Sequence, residues 1–109
     1  MLVSELYTKL HERLIREFLD FLLMIELKNQ SMSGYTALSH IHNKYDYLVS
    51  SGTVYSLLYS LEREELIQGS MNGQKRVFVL TSKGEKMIDT ILAADDGLLG
   101  LVKNLVLSL

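Results

Sequence analysis

The 109-residue chain contains no cysteine, no tryptophan and no proline. Without cysteine there are no disulfides, thiolate zinc sites, iron–sulfur clusters or cysteine nucleophiles, a usage that fits a reducing compartment. Positive charge is also scarce. Eleven Lys and Arg stand against 13 Asp and Glu, for a formal net charge of −2. That excludes a globally basic nucleic-acid binder but allows a local basic patch on an acidic body. Long apolar runs are missing. The richest stretch, Phe18 to Leu27, is broken by Asp20 and Glu26, and its longest run is five residues. A bilayer helix needs roughly 18–20. Glu5, Glu12 and Glu17 interrupt any signal-peptide h-region. The expected location is cytoplasmic, with no membrane contact. What remains is 48% hydrophobic and 22% charged, an ordinary globular usage that supports one core in a single domain over 1–109.

There is no internal repeat, low-complexity tract or linker. From about Ser4 to Asn29, the apolar positions Leu6, Leu10, Leu14, Phe18, Leu22 and Ile25 recur at spacings of four and three, a helical stripe. From Phe18 the apolar arc widens to Leu19, Phe21, Leu23 and Met24, so the second half should be buried on more than one side. Turn and cap residues follow at 29–34. Ser31 or Ser33 then caps a second helix with its stripe at Tyr35, Leu38, Ile41 and Tyr45. After the turn at 46–50, Ser50-Ser51-Gly52-Thr53 opens a third, with Val54, Leu57, Leu58 and Leu61 facing the core and an end near Glu65.

The period then becomes extended. Leu66 to Met71 and Lys75 to Leu80 are short strands around Asn72-Gly73, a strong hairpin signal. Thr81 caps a further helix carrying Met87, Ile88, Ile91 and Leu92, and Asp95-Asp96-Gly97 interrupts or kinks it before an aliphatic tail. The predicted fold is mainly α with a small β component: a winged helix-turn-helix with a hairpin wing. An N-terminal helix (1–30), the helix-turn-helix and wing (31–81), and one or two C-terminal helices (82–109) make up the domain.

Projected at about 100° per residue, the third helix places Gly52, Ser56, Tyr59 and Arg63 opposite its apolar side, with Ser60 beside them. Glu62 and Glu64 fall on the flanks, and Glu65 towards the core side. An outer face of hydroxyls and one guanidinium, without carboxylates, suits phosphate oxygens and base edges. A solvated helix face is also polar, so the pattern alone leaves both readings open. The hairpin tip adds Lys75 and Arg76 with no acid. Arg63, Lys75 and Arg76 are few phosphate neutralisers for one chain. Two copies supply six, for a log–log salt slope of roughly −5, so DNA binding here requires a dimer.

Other signals are weak. His40 and His42 point about 200° apart on a helix, His11 lies elsewhere, and no metal site follows. Asp95-Asp96 reads as a solvated turn rather than a catalytic pair. No phosphate loop or nucleophile–base spacing is present, so no enzyme and no cofactor are expected. The tail residues Leu98, Leu99, Leu101, Val102, Leu105, Val106, Leu107 and Leu109 are too apolar for an exposed helix end. With Leu6, Leu10 and Leu14 they fit an isologous two-fold interface between protomers, the alternative being a tail folded back on its own domain.

Ser33-Gly34-Tyr35, Gly52-Thr53-Val54-Tyr55, Leu57-Leu58, Leu61-Glu62, Leu66-Ile67 and Leu80-Thr81-Ser82-Lys83-Gly84 resemble motifs of the PadR family of winged-helix transcriptional regulators. The resemblance covers about Phe18 to Ile88. The chain departs from the family pattern at Ser51 and Ser56, where proline is usual, and at Glu65, where glycine is. Its wing is short, and the extension before Phe18 is atypical. The resemblance implies a homodimeric DNA-binding repressor that dimerises through the C-terminal helix and the first helix. By position, Tyr35, Thr36, Ser51, Thr53, Tyr55, Ser56 and Tyr59 would face DNA, with Lys75 and Arg76 as the wing. Arg63 joins them from the helix projection. Some relatives bind flat aromatic effectors, often stacked on tryptophan; here only Tyr7, Phe18, Phe21 or aliphatic residues could serve. Two alternatives to the repressor are a winged-helix protein-interaction module without DNA binding and an effector-gated small-molecule sensor.

Overall fold

A computed structural model describes residues 2–94 and 97–107; within the last helix the side chains of Leu98, Leu99, Val106 and Leu107 fall outside the description, as do Asp95, Asp96, Ser108 and Leu109. The order of elements is α1 (Val3–Glu17), α2 (Leu19–Asn29), β1 (Met32–Ser33), α3 (Gly34–Tyr45), α4 (Ser51–Arg63), β2 (Ile67–Asn72), β3 (Lys75–Leu80), α5 (Ser82–Ala93) and α6 (Gly97–Leu107). Among the described residues no helix is long and apolar enough to cross a membrane.

The single long first helix expected from the stripe is divided at Phe18 (φ −102°, ψ 16°). The hydrogen-bond ladder runs on through the division, from Phe18 N–H to the Leu14 carbonyl at 3.0 Å and from Leu22 N–H to the Phe18 carbonyl at 2.9 Å. The interruption is therefore a one-residue distortion where two differently solvated helices meet. In α1 only Ile15 is buried. In α2, Leu19, Leu23, Met24 and Leu27 are buried, as its wide apolar arc requires.

Three side-chain caps start the next helices. Ser33 Oγ accepts from Thr36 N–H at 3.2 Å, Ser50 Oγ from Thr53 N–H at 3.1 Å, and Thr81 Oγ1 from Gly84 N–H at 3.1 Å, each satisfying an orphan first-turn donor. The stripes of α3 and α4 then bury Ile41, Val54, Leu58 and Leu61 against α2, Phe78 and Ile88. Phe78, Leu23, Ile41 and Leu58 have no exposed surface, so truncating any of them costs about 3 kcal/mol or more.

The sheet is antiparallel in the order β1-β3-β2. Its third strand, β1, was not expected: it is two residues long, pairing Met32 with Phe78 and Ser33 with Val77. The hairpin register pairs Asn72 with Lys75, so the turn residues are Gly73 and Gln74, one place beyond the expected Asn72-Gly73. Gly73 has φ +67° and Gln74 does not have positive φ. That is the type II′ pattern, with glycine at the first central position.

α4 ends near Glu65 as expected, but Glu65, projected towards the core side, is exposed. The helix stops at Arg63, and Glu65 lies outside it, exposed, with φ +64°. Leu66 N–H reaches the Leu61 carbonyl at 3.0 Å, closing a Schellman-type end in which glutamate occupies the left-handed place usually given to glycine. Thr81 Oγ1 donates to the Glu65 carbonyl at 2.7 Å, and Lys83 Nζ to the Glu64 carbonyl at 2.9 Å. Gly84 lies so near the Leu66 carbonyl oxygen that a Cβ would overlap it. The Leu-Thr-x-x-Gly motif is thus the joint that locks α5 under the α4–wing corner.

Candidate nucleic-acid interface

The first turns of α3 and α4, like that of α6, contain no acidic residue, whereas α1, α2 and α5 carry Glu5, Asp20 and Glu85 there. Both helices instead use a Ser-x-x-Thr cap whose two hydroxyls bond each other: Ser33 Oγ to Thr36 Oγ1 at 3.1 Å, and Ser50 Oγ to Thr53 Oγ1 at 2.9 Å. Their positive dipole ends therefore have no acidic residue in their own first turn, which favours an external anion.

On α4, Ser51, Gly52, Thr53, Ser56, Tyr59 and Arg63 are exposed, while Val54, Leu58 and Leu61 are buried. A Cβ on Gly52 would meet only Ser50 Oγ, at 4.0 Å, so the described fold itself gives no steric reason for glycine at this exposed place. Tyr35, which its spacing places on the apolar stripe of α3, is instead 73% exposed at the start of that helix. Between these helices and the wing lies a groove of about 290 Å³ lined by Ser33, Tyr35, Tyr55, Gln74, Lys75 and Arg76.

Two of the groove residues also make contacts within the fold. Tyr55 is only partly exposed, and its ring lies over Gly34, where a Cβ would collide with it. Arg76 is bound to Glu62: its Nη2 donates to both carboxylate oxygens, at 2.9 and 2.7 Å. The guanidinium also sits 5.6 Å from the Tyr59 ring centroid and 5.3 Å from that of Phe78. Glu62 Oε2 accepts as well from Gly69 N–H of β2 at 2.8 Å. One α4 carboxylate thereby holds both wing strands. The helix projection put Glu62 on a flank but carried no signal of this pairing, because the partners are 14 residues apart and on different elements. Arg63 and Lys75 have no ion-pair partner among the described residues.

Behind this surface, buried Glu26 of α2 accepts from Lys44 Nζ at 2.9 Å and lies 3.1 Å from His40 Nδ1, both on α3. Burial pushes the Glu26 carboxyl up, but the hydrogen bonds from Lys44 and His40 outweigh it and hold the group below the usual carboxylate range. The same bond to Glu26 raises Lys44. His40 and Lys44 thus brace α3 against the core helix.

Of the residues expected at a dimer interface, Leu6, Leu10 and Leu14 of α1 are 44–48% exposed, and Leu101 and Leu105 of α6 are 54% and 65% exposed. Val102 is half-buried, while Leu98 and Val106 have no described side chains. An open trough of about 470 Å³ between α1 and α6 is lined by Leu10, Leu14, Phe18, Val102 and Leu105, among others. Phe18 and Phe21 line an adjacent apolar groove with Tyr45, and Tyr7 lies outside both, stacked on His11.

Three helices with a capped helix-turn-helix and a paired β-hairpin define this protein as a winged helix. The match of residues 22–90 to the transcriptional regulator PadR-like family covers more than half the chain, and the chain belongs to that family. Solved structures agree on the fold. A PadR family transcriptional regulator from Eggerthella lenta is 20% identical with a TM-score of 0.73, aligned over 94% of each chain. A transcriptional regulator from Clostridium thermocellum is 21% identical with a TM-score of 0.72, covering 88% of this chain and 93% of that one. PadR of Bacillus subtilis, solved in complex with operator DNA, is 21% identical with a TM-score of 0.59, and the alignment spans 69% of this chain but 46% of that protein. Among curated proteins none matches the chain significantly.

Proposed function

We propose that this protein is a sequence-specific DNA-binding transcriptional repressor that acts as a homodimer. The observation that carries the reading is the exposed face of α4: Gly52, Ser56, Tyr59 and Arg63 in a row without a carboxylate, on a chain with excess acid. In this reading α4 enters the major groove, and Tyr35 and Thr36 approach the backbone at the start of α3. Lys75 touches the flanking phosphates from the wing. Tyr55 and Arg76 act from behind, by fixing α3 and the wing to α4.

The dimer follows from charge and from apolar exposure. One protomer offers too few free cations for strong binding. The exposed leucines of α1 and α6 are what a two-fold helical interface buries. Two half-sites should then lie about 34 Å apart on a pseudo-palindrome.

The test is fluorescence anisotropy with a duplex from the region upstream of the protein's own gene, an unrelated duplex as control, and several salt concentrations. The reading predicts tight, salt-sensitive binding of one dimer to the first and weaker binding to the second. No binding to either at low salt would favour the protein-interaction module instead. The sensor variant of the reading predicts in addition a ligand-dependent change in affinity, with Phe18 and Phe21 at the ligand.

A further inference from the structure

We propose that Glu62 is a positioning residue that sets the wing on the recognition helix and withholds Arg76 from the DNA backbone, leaving Lys75 as the wing's phosphate contact. This inference rests on the DNA-binding reading.

Arg76 is restrained on three sides: by both oxygens of Glu62, by the Tyr59 ring and by the Phe78 ring. It is also only 38% exposed. Releasing it to a phosphate would not release Glu62, whose Oε2 is independently held by Gly69 N–H at 2.8 Å. A carboxylate fixed in place beside the DNA would then face phosphate with no counter-ion, a like-charge approach that opposes the exchange. Gly69 belongs to the same arrangement, since a Cβ there would come within 2.9 Å of both the Arg76 guanidinium and Glu62 Oε2. Lys75, by contrast, is exposed next to the turn and has no ion-pair partner among the described residues.

The pair therefore counts as neutral in the electrostatics of binding, although both members lie where the wing meets α4. It also limits charge-driven, sequence-independent affinity, because the acid cancels one of the few cations on this side of the molecule.

Salt dependence separates the roles. Four proteins are titrated with the same duplex: wild type, Glu62→Gln/Arg76→Gln, Glu62→Gln and Lys75→Gln, each checked for folding by circular dichroism. The double variant should keep the wild-type log–log salt slope. Glu62→Gln, which frees Arg76, should steepen it by up to about 1.8 for two wings, and Lys75→Gln should flatten it by about the same amount. A double variant whose slope flattens by about 1.8 would overturn the proposal, because Arg76 would then be neutralising phosphate in the wild-type complex. An unchanged slope in Lys75→Gln would overturn it too. Wild-type protein that binds no duplex at low salt would overturn the DNA-binding reading itself, a failure distinct from altered slopes in a protein that binds.

Discussion

The ring of Tyr55, on α4, lies directly over the backbone of Gly34 at the start of the preceding helix, in space that any Cβ on residue 34 would occupy. Two motifs that look separate in the sequence, Ser33-Gly34-Tyr35 and Gly52-Thr53-Val54-Tyr55, are thus the two halves of one contact. It joins the start of α3 to α4.

Gly34→Ala should destabilise the protein by about 2 kcal/mol, because the added methyl must displace an aromatic ring packed between two helices. The loss should shrink when Tyr55 is cut back to valine in the same chain, since the clash then has no partner. Chemical denaturation of the two single variants and the double variant measures this coupling. Strict additivity would contradict the contact.

Glu65→Gly should have the opposite sign. Glutamate at φ +64° carries the cost of the left-handed region, about 1 kcal/mol, which glycine avoids. The hydrogen bond from Thr81 is made to the residue 65 carbonyl, so the substitution keeps it. A rise in Tm of about 5 °C is expected from calorimetry.

Glu26 predicts a pH dependence. Its folded pKa is lowered below the ordinary value, so its contribution is fully present above about pH 4.5 and is lost as pH falls through the folded pKa. Glu26→Gln should be less stable than wild type at pH 7, by about 1 kcal/mol given that Lys44 and His40 are partly solvated. The difference should close on acidification below pH 4. Urea midpoints across pH 3 to 7 test this.

The proposed two-fold interface predicts that Leu10→Arg with Leu14→Arg gives a folded monomer, since both residues are nearly half exposed on a helix that buries only Ile15. Sedimentation velocity reads the mass. The same variant should bind DNA with about half the wild-type salt slope.

Much of this was legible in the sequence because it was written in local chemistry. Ser31 or Ser33, the Ser50–Thr53 run and Thr81 announce three helix starts, the stripes containing Val54, Leu58 and Leu61 or Leu38 and Ile41 mark the core faces, though Tyr35 of the same stripe is exposed, and the strands at 66–71 and 75–80 flank a legible turn. What was not legible depends on distant partners or on a single backbone angle. β1 is too short to show a period and exists only because Phe78 and Val77 are there to pair with it. The division at Phe18 leaves the apolar stripe unbroken. The turn moved one place because Gly73 takes the first central position rather than the second. Glu62 looked like a solvated flank residue, and only the fold brings Arg76 and Gly69 to its carboxylate. At the candidate interface, the polar face of α4 was visible by projection, whereas the contacts of Tyr55 with Gly34 and of Arg76 with Glu62 were not.

The central claim is that the exposed face of α4 meets DNA, and the most direct measurement places a carboxylate in the middle of it. Ser56 is exposed and bonded to no other side chain among the described residues, so Ser56→Glu should change stability by no more than about 0.5 kcal/mol. Anisotropy with the duplex that wild type binds should show affinity lower by tenfold or more at about 0.1 M salt, where the new charge faces the phosphates within one Debye length. Wild-type affinity in a folded Ser56→Glu protein would place the DNA elsewhere and contradict the account.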